Sequence, residues 1–170
     1  MRLKPPVGEG LLIVSGSANA YTFAQLERRR GGRIVNLARE TIQMENCVSC
    51  LRRGETLILA AACGPEDLVQ NPSESYHIEL GQTLARLTEE LLRGSGVRNL
   101  AIFGGDTLQA ILKRLSCSRV RICGYLEEGV PVCEGETSLG RLCLVTKSGG
   151  LGSRTVVSHI MDYYEGREGE

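Results

Sequence analysis

The chain has 170 residues, 42% of them hydrophobic and 24% charged, the profile of a soluble globular domain. Lys+Arg and Asp+Glu each number 20, which leaves no basic field for nucleic acid and no polybasic anchor for a membrane. Apolar runs such as Leu11 to Val14 and Leu57 to Cys63 are too short to span a bilayer, and the start Met-Arg-Leu-Lys-Pro-Pro has no signal-peptide core.

Residues 1–10 read as a lead-in. Leu11-Leu-Ile-Val14 is a short buried-strand run that ends in Ser15-Gly16-Ser17. Ala20 to Arg30 reads as a helix stopped by Gly31-Gly32. Arg33 to Leu37 is a second strand, followed by a polar helix through about Leu51 that stops near Gly54. Thr56 to Ala62 is a third strand, apolar almost throughout, and it ends at Cys63-Gly64-Pro65-Glu66-Asp67. Residues 65–78, with Pro65 and Pro72 among polar neighbours, read as a surface loop. Leu80, Leu84, Leu87 and Leu91 then recur at helical spacing until Gly94-Ser95-Gly96. Asn99 to Phe103 is a fourth buried strand, running into Gly104-Gly105-Asp106-Thr107 and a helix whose apolar face is Leu108, Ile111, Leu112 and Leu115. Residues 119–146 carry strand signals at Val120 to Tyr125 and Arg141 to Val145. Lys147-Ser148-Gly149-Gly150-Leu151-Gly152 follows, then a last helix from about Thr155 and a tail, residues 165–170, expected to be disordered.

Strands apolar on both faces and separated by amphipathic helices predict an α/β fold, a three-layer α/β/α domain over residues 11–164 with a mostly parallel sheet. Such sheets bind ligands beyond the carboxyl ends of their strands. Three of those ends are rich in glycine and small hydroxyl residues. Gly104-Gly105-Asp106-Thr107 opens a strong helix, so its backbone suits close approach to an anion at the helix N-terminus; a tight turn with Asp106 as the helix cap is the plainer alternative. Lys147-Ser148-Gly149-Gly150-Leu151-Gly152 puts a lysine at the mouth of a glycine loop, the reverse of a Walker A order, and reads either as a phosphate cradle or as a flexible loop. Ser15-Gly16-Ser17 opens the first helix and suits capping or a nucleotide contact. One parallel sheet would bring all three to the same edge.

Seven cysteines, most of them inside apolar runs, fit a reducing compartment better than a disulfide scaffold. Cys47-Val-Ser-Cys50 has redox or half-zinc spacing without a second pair, so helix packing is the simpler reading. His77 and His159 have no evident partners and read as structural. Arg28-Arg29-Arg30 reads as a solvated helix end, and Asp67 as a turn and cap residue.

These residues carry a resemblance. Val14-Ser-Gly-Ser-Ala-Asn-Ala-Tyr-Thr22-Phe-Ala-Gln25, Ala61-Ala-Cys-Gly-Pro-Glu-Asp67, Phe103-Gly-Gly-Asp-Thr107, Gly129-Val-Pro131 and Lys147 to Gly152 follow one another in the order of the four-carbon acid sugar kinase family. The match is to its C-terminal nucleotide-binding domain and spans nearly the whole chain. Asn19 and Gly150-Leu151 depart from the residues common in the family. The resemblance implies ATP-dependent phosphorylation of a terminal hydroxyl on an erythronate, threonate or oxo-tetronate. It implies ATP contacts at Ser15, Gly16, Ser17, Gly104, Gly105, Asp106, Thr107, Lys147, Ser148, Gly149, Gly150 and Gly152, with Asp106 as a candidate Mg2+ ligand. It further implies a cytoplasmic carbohydrate kinase whose catalytic residues lie mainly in an N-terminal sugar-acid-binding domain, fused or separate, which nothing before Leu11 supplies. The isolated chain is therefore expected to bind nucleotide with little turnover. A non-catalytic nucleotide sensor and a redox or metal protein built on Cys47 and Cys50 remain as alternatives, and the oligomeric state, a homo-oligomer included, stays open.

Overall fold

The computed structural model describes residues 4–5 and 9–167; residues 1–3, 6–8 and 168–170, which belong to the expected lead-in and tail, lie outside the described residues. In chain order the elements are β1 (Leu11–Ser15), α1 (Ala20–Glu27), β2 (Arg33–Asn36), α2 (Met44–Arg52), β3 (Thr56–Ala60) and a single 3-10 turn (Pro65–Asp67). After them come α3 (Glu74–Ser95), β4 (Asn99–Phe103), α4 (Gly105–Arg114), β5 (Arg119–Glu127), β6 (Val130–Thr137), β7 (Gly140–Lys147) and α5 (Val156–Tyr164).

One sheet runs in the order β2-β3-β1-β4-β7-β6-β5. The first five strands are parallel, and β6 and β5 add an antiparallel edge. The expected mostly parallel α/β sheet is borne out. Alternation along the strands separates two cores. Leu12, Val14, Leu57, Leu59, Leu100 and Ile102 pack toward α2, α3 and α4. Leu11, Ile13, Ile58, Ala101, Phe103 and Val145 pack toward α1 and α5. Central strands thus bury both faces, which is why they read as unbroken apolar runs.

Several boundaries differ from expectation. Residues 74–78, expected in a loop, form the first turn of α3, because the Ser73 side chain accepts the Tyr76 N–H and starts the helix early. That helix ends where Gly96 takes φ 74° and its N–H reaches Leu92 O. α1 stops at Glu27, three residues short of Arg30, and the arginine run is not simply solvated, since Arg30 pairs with Asp162 and Glu165 on and just after α5. β6 does not stand out from the general strand signal of its region, and β5 proves to be an exposed edge strand, with Ile122 57% accessible.

Candidate functional site

Sheet register brings the glycine exits together. Ser15 is paired in register with Phe103 on one side and Ala60 on the other, and Phe103 is paired with Lys147. The chain therefore leaves β3, β1, β4 and β7 at one level. Each exit adds a further rung: Gly16 N–H donates to Phe103 O (3.1 Å), Gly104 N–H to Lys147 O (2.9 Å) and Ala61 N–H to Ser15 O (2.9 Å). Segments 15–17, 104–107 and 147–152 thus share one edge of the sheet.

Their spacing is close enough to require glycine. A Cβ on Gly16 would stand 1.9 Å from Thr107 Oγ1 and 3.2 Å from Thr107 Cβ, so the β1 exit touches the first turn of α4. Gly104 adopts φ 107°, open to few side chains, and a Cβ there would lie 3.7 Å from Ser17 N. Gly105 and Asp106 are exposed at the start of α4, whereas Thr107 is buried. Ser15 lies beneath, with its hydroxyl buried and unpartnered. Ser17 Oγ accepts from Asn19 N–H (3.1 Å) and donates to Thr22 Oγ1 (3.1 Å).

The third exit is held from inside. Lys147 is 2% accessible, and its ammonium donates to Thr22 Oγ1 (3.2 Å), Ser148 O (3.1 Å) and Gly149 O (3.1 Å). It also sits 5.1 Å above the Phe103 ring centre, within cation–π range. Burial lowers its pKa to about 8. Helix α1 binds the rest of the loop. Thr22 Oγ1 donates to Gly149 O (2.9 Å), Gln25 Nε2 to Ser153 O (2.8 Å), and Tyr21 OH to Gly152 O (3.2 Å). At the far end Glu127 accepts from Ser153 N–H and Oγ and meets His159 Nδ1 at 2.7 Å. His159, expected to lack a partner, therefore has one. Sequence reasoning does not single out Tyr21 or Glu127. The spacing of Tyr21, Thr22 and Gln25 along one helix face is the available signal for the former, and nothing local marks Glu127.

The remaining candidates lie elsewhere. Cys47 and Cys50 point into the core, fully buried, and desolvation pushes the Cys50 thiol up to about 11, the state of an inert packing thiol. Among the described residues no group of three or more His, Cys, Asp or Glu is placed to hold a metal. His77 stands in the first turns of α3, edge-on to Tyr76, and not in a loop. Asp67 accepts from Cys63 N–H (2.9 Å), Asn36 Nδ2 (2.8 Å) and Arg39 Nε (2.6 Å), tying the β3 exit to the β2 exit. Beside it a cleft of about 490 Å3 opens between α1 and the β3 exit, lined by Ala20, Phe23, Ala24, Ile34, Cys63 and Pro65 among others. Among the described residues no helix is long and apolar enough to cross a membrane.

Comparison with known proteins gives the arrangement a family context. The family described as nucleotide-binding C-terminal domain matches residues 12–157. A 3-oxo-tetronate kinase of Pseudomonas fluorescens is 28% identical, aligned over 95% of this chain and 40% of its own length. A 3-oxo-tetronate kinase of Pseudomonas savastanoi pv. phaseolicola is 26% identical over 87% of this chain and 37% of its own length. The chain thus spans about two fifths of the curated relatives it matches. Among solved structures, a domain of unknown function from Bordetella bronchiseptica, a domain-swapped dimer with bound citrate, superposes with a TM-score of 0.74 at 20% identity. That match covers 95% of this chain and 42% of the other. A Haemophilus influenzae protein gives 0.73 at 18% identity, over 95% of this chain and 42% of its own. At these identities the structural likeness concerns the fold.

Proposed function

This chain belongs to the family of nucleotide-binding C-terminal domains, and from that premise we propose that it is the ATP-binding domain of a four-carbon acid sugar kinase acting on a terminal hydroxyl of an erythronate, threonate or oxo-tetronate. The observation that carries the reading is the register of β1, β4 and β7, which sets three glycine-bearing exits side by side. Backbone N–H groups of Gly105, Gly149 and Gly150 and the hydroxyls of Ser17, Thr107 and Ser148 would line one polyphosphate seat. Ser15, Gly16, Gly104 and Gly152 would shape the backbone around it, since the Gly16 and Gly104 N–H groups are already spent on sheet rungs and the Ser15 hydroxyl is buried. The start of the ten-residue α4 adds its dipole there, worth about 0.3–1 kcal/mol toward an anion.

Asp106, exposed in the first turn of α4, fits a Mg2+ ion held by one carboxylate and phosphate oxygens, the usual arrangement for a cation that keeps most of its waters. The cation would neutralise phosphate charge beside that carboxylate. Phosphoryl transfer is chiefly positioning and charge stabilisation, with donor and acceptor in line. On this reading the present residues orient the donor, while the acceptor sugar acid belongs to the portion of the relatives that this chain does not match. A sugar-acid-binding domain is therefore the expected partner, and the cytoplasm the expected location, in keeping with seven free cysteines.

The test is thermal unfolding with ATP, pyrophosphate and Mg2+. A ligand at about 100 times its dissociation constant stabilises the folded state by about 2.7 kcal/mol. No shift with millimolar ATP or pyrophosphate would defeat the nucleotide reading. ADP release on mixing with a sugar-acid domain and C4 acids then tests the kinase assignment.

A further inference from the structure

The lysine at the mouth of the β7 loop faces inward, and the direction of its hydrogen bonds fixes the direction of the loop's peptides. Every peptide bond among the described residues is trans. In a planar trans peptide the C=O of one residue points opposite to the N–H of the next. Lys147 Nζ draws the carbonyls of Ser148 and Gly149 toward the interior, at 3.1 Å each. The N–H groups of Gly149 and Gly150 then face the other way. Thr22 also holds the Gly149 carbonyl inward, whereas farther along the loop the Ser153 N–H, which follows the Gly152 carbonyl held by Tyr21, is taken by the Glu127 carboxylate. Successive N–H groups turned outward form a concave anion site. All three protons of the Lys147 ammonium are already engaged, with Thr22 Oγ1 taking the third.

Resting on the nucleotide reading above, we propose that Lys147 is a positioning residue: it holds the Ser148 and Gly149 carbonyls inward so that the Gly149 and Gly150 N–H groups meet phosphate, and it makes no contact with the phosphate itself. This assigns the charge of the loop lysine to the protein's own carbonyls, with Phe103 beneath it. Anion recognition falls to neutral backbone donors. The role also explains Thr22, which accepts from Lys147 and donates to Gly149 O, linking the ammonium to the same peptide from α1.

The decisive measurement is NMR of the Lys147 ammonium with 15N-labelled lysine in the wild-type chain, with and without saturating pyrophosphate. The anion's charge raises the lysine pKa in either role, so the readout is contact: a positioning lysine shows no scalar coupling between its 15Nζ and the pyrophosphate phosphorus. A lysine that ligates phosphate shows that coupling through the hydrogen bond, and its detection overturns the proposal. Binding is then compared in Lys147→Met, Thr22→Val and the double variant by calorimetry with pyrophosphate. Each single change is expected to weaken binding about tenfold, with the double variant no worse than Lys147→Met, because both act through one carbonyl arrangement. Unchanged binding in a folded Lys147→Met chain also overturns it. If the wild type binds neither pyrophosphate nor ATP, the nucleotide reading itself fails, an outcome distinct from either of these.

Discussion

Gly16→Ala tests the contact between the β1 exit and α4 on which the site depends. The added methyl would stand 1.9 Å from Thr107 Oγ1, 3.2 Å from Thr107 Cβ and 3.1 Å from Leu84 Cδ1. Rotating the threonine moves its oxygen but not its Cβ, so the backbone of one loop must also give way. Thr107 and Leu84 are both buried, so displacement disturbs the α3–α4 core as well. Overpacking of this kind costs about 1–3 kcal/mol. For a chain of this size that is a fall in melting temperature of roughly 3 °C per kcal/mol. The same shift pulls Gly16 from its bond to Phe103 O and opens the seat, so pyrophosphate affinity should fall with stability. Gly105→Ala is the control, since its methyl meets nothing within 4 Å and stability should stay within about 0.5 kcal/mol. Urea unfolding of Gly16→Ala, Thr107→Ala and the double variant completes the cycle. Removing Oγ1 leaves only the milder contacts with Thr107 Cβ and Leu84 Cδ1, so the double variant should be more stable than the sum of the singles by about 1 kcal/mol. Additive effects, or a Gly16→Ala chain as stable as wild type, would refute the described packing of the two exits.

Three further outcomes are expected. The pKa of Lys147 falls from 10.5 to about 8 on folding, so between those values the unfolded chain binds more protons and stability rises with pH; Lys147→Met should flatten that rise in pH-dependent urea unfolding. Asp67 is held at about 2, below 3.8, first by Arg39 and then by Cys63 N–H and Asn36; its contribution is present above about pH 4 and lost as pH falls toward 2, and Asp67→Asn should remove that part of the acid transition. Native-state labelling with a thiol reagent should be confined to Cys63, Cys117 and Cys123, with Cys47 and Cys50 reacting only on unfolding; rapid modification of either, or stabilisation by zinc, would revive a redox or metal role.

Local sequence determined much of the architecture. Apolar runs at Leu11 to Val14, Thr56 to Ala60 and Asn99 to Phe103 state that both strand faces are buried, and the four-three-four leucine spacing states a helix, because both periods are properties of the backbone itself. Glycines at the three strand ends were legible for the same reason. The antiparallel β5-β6-β7 edge was not, since a half-buried strand declares its partner only through pairing. Nor was the direction of the Lys147 ammonium. Its acceptor Thr22 lies 125 residues away in sequence, and the Glu127–His159 pair is 32 residues apart. Whether a lysine reaches into solvent or folds back onto its own loop is settled by which carbonyls and hydroxyls surround it. The Ser148 and Gly149 carbonyls are local to the loop, but only the packing of α1 against the β7 exit brings the Thr22 hydroxyl that completes the set.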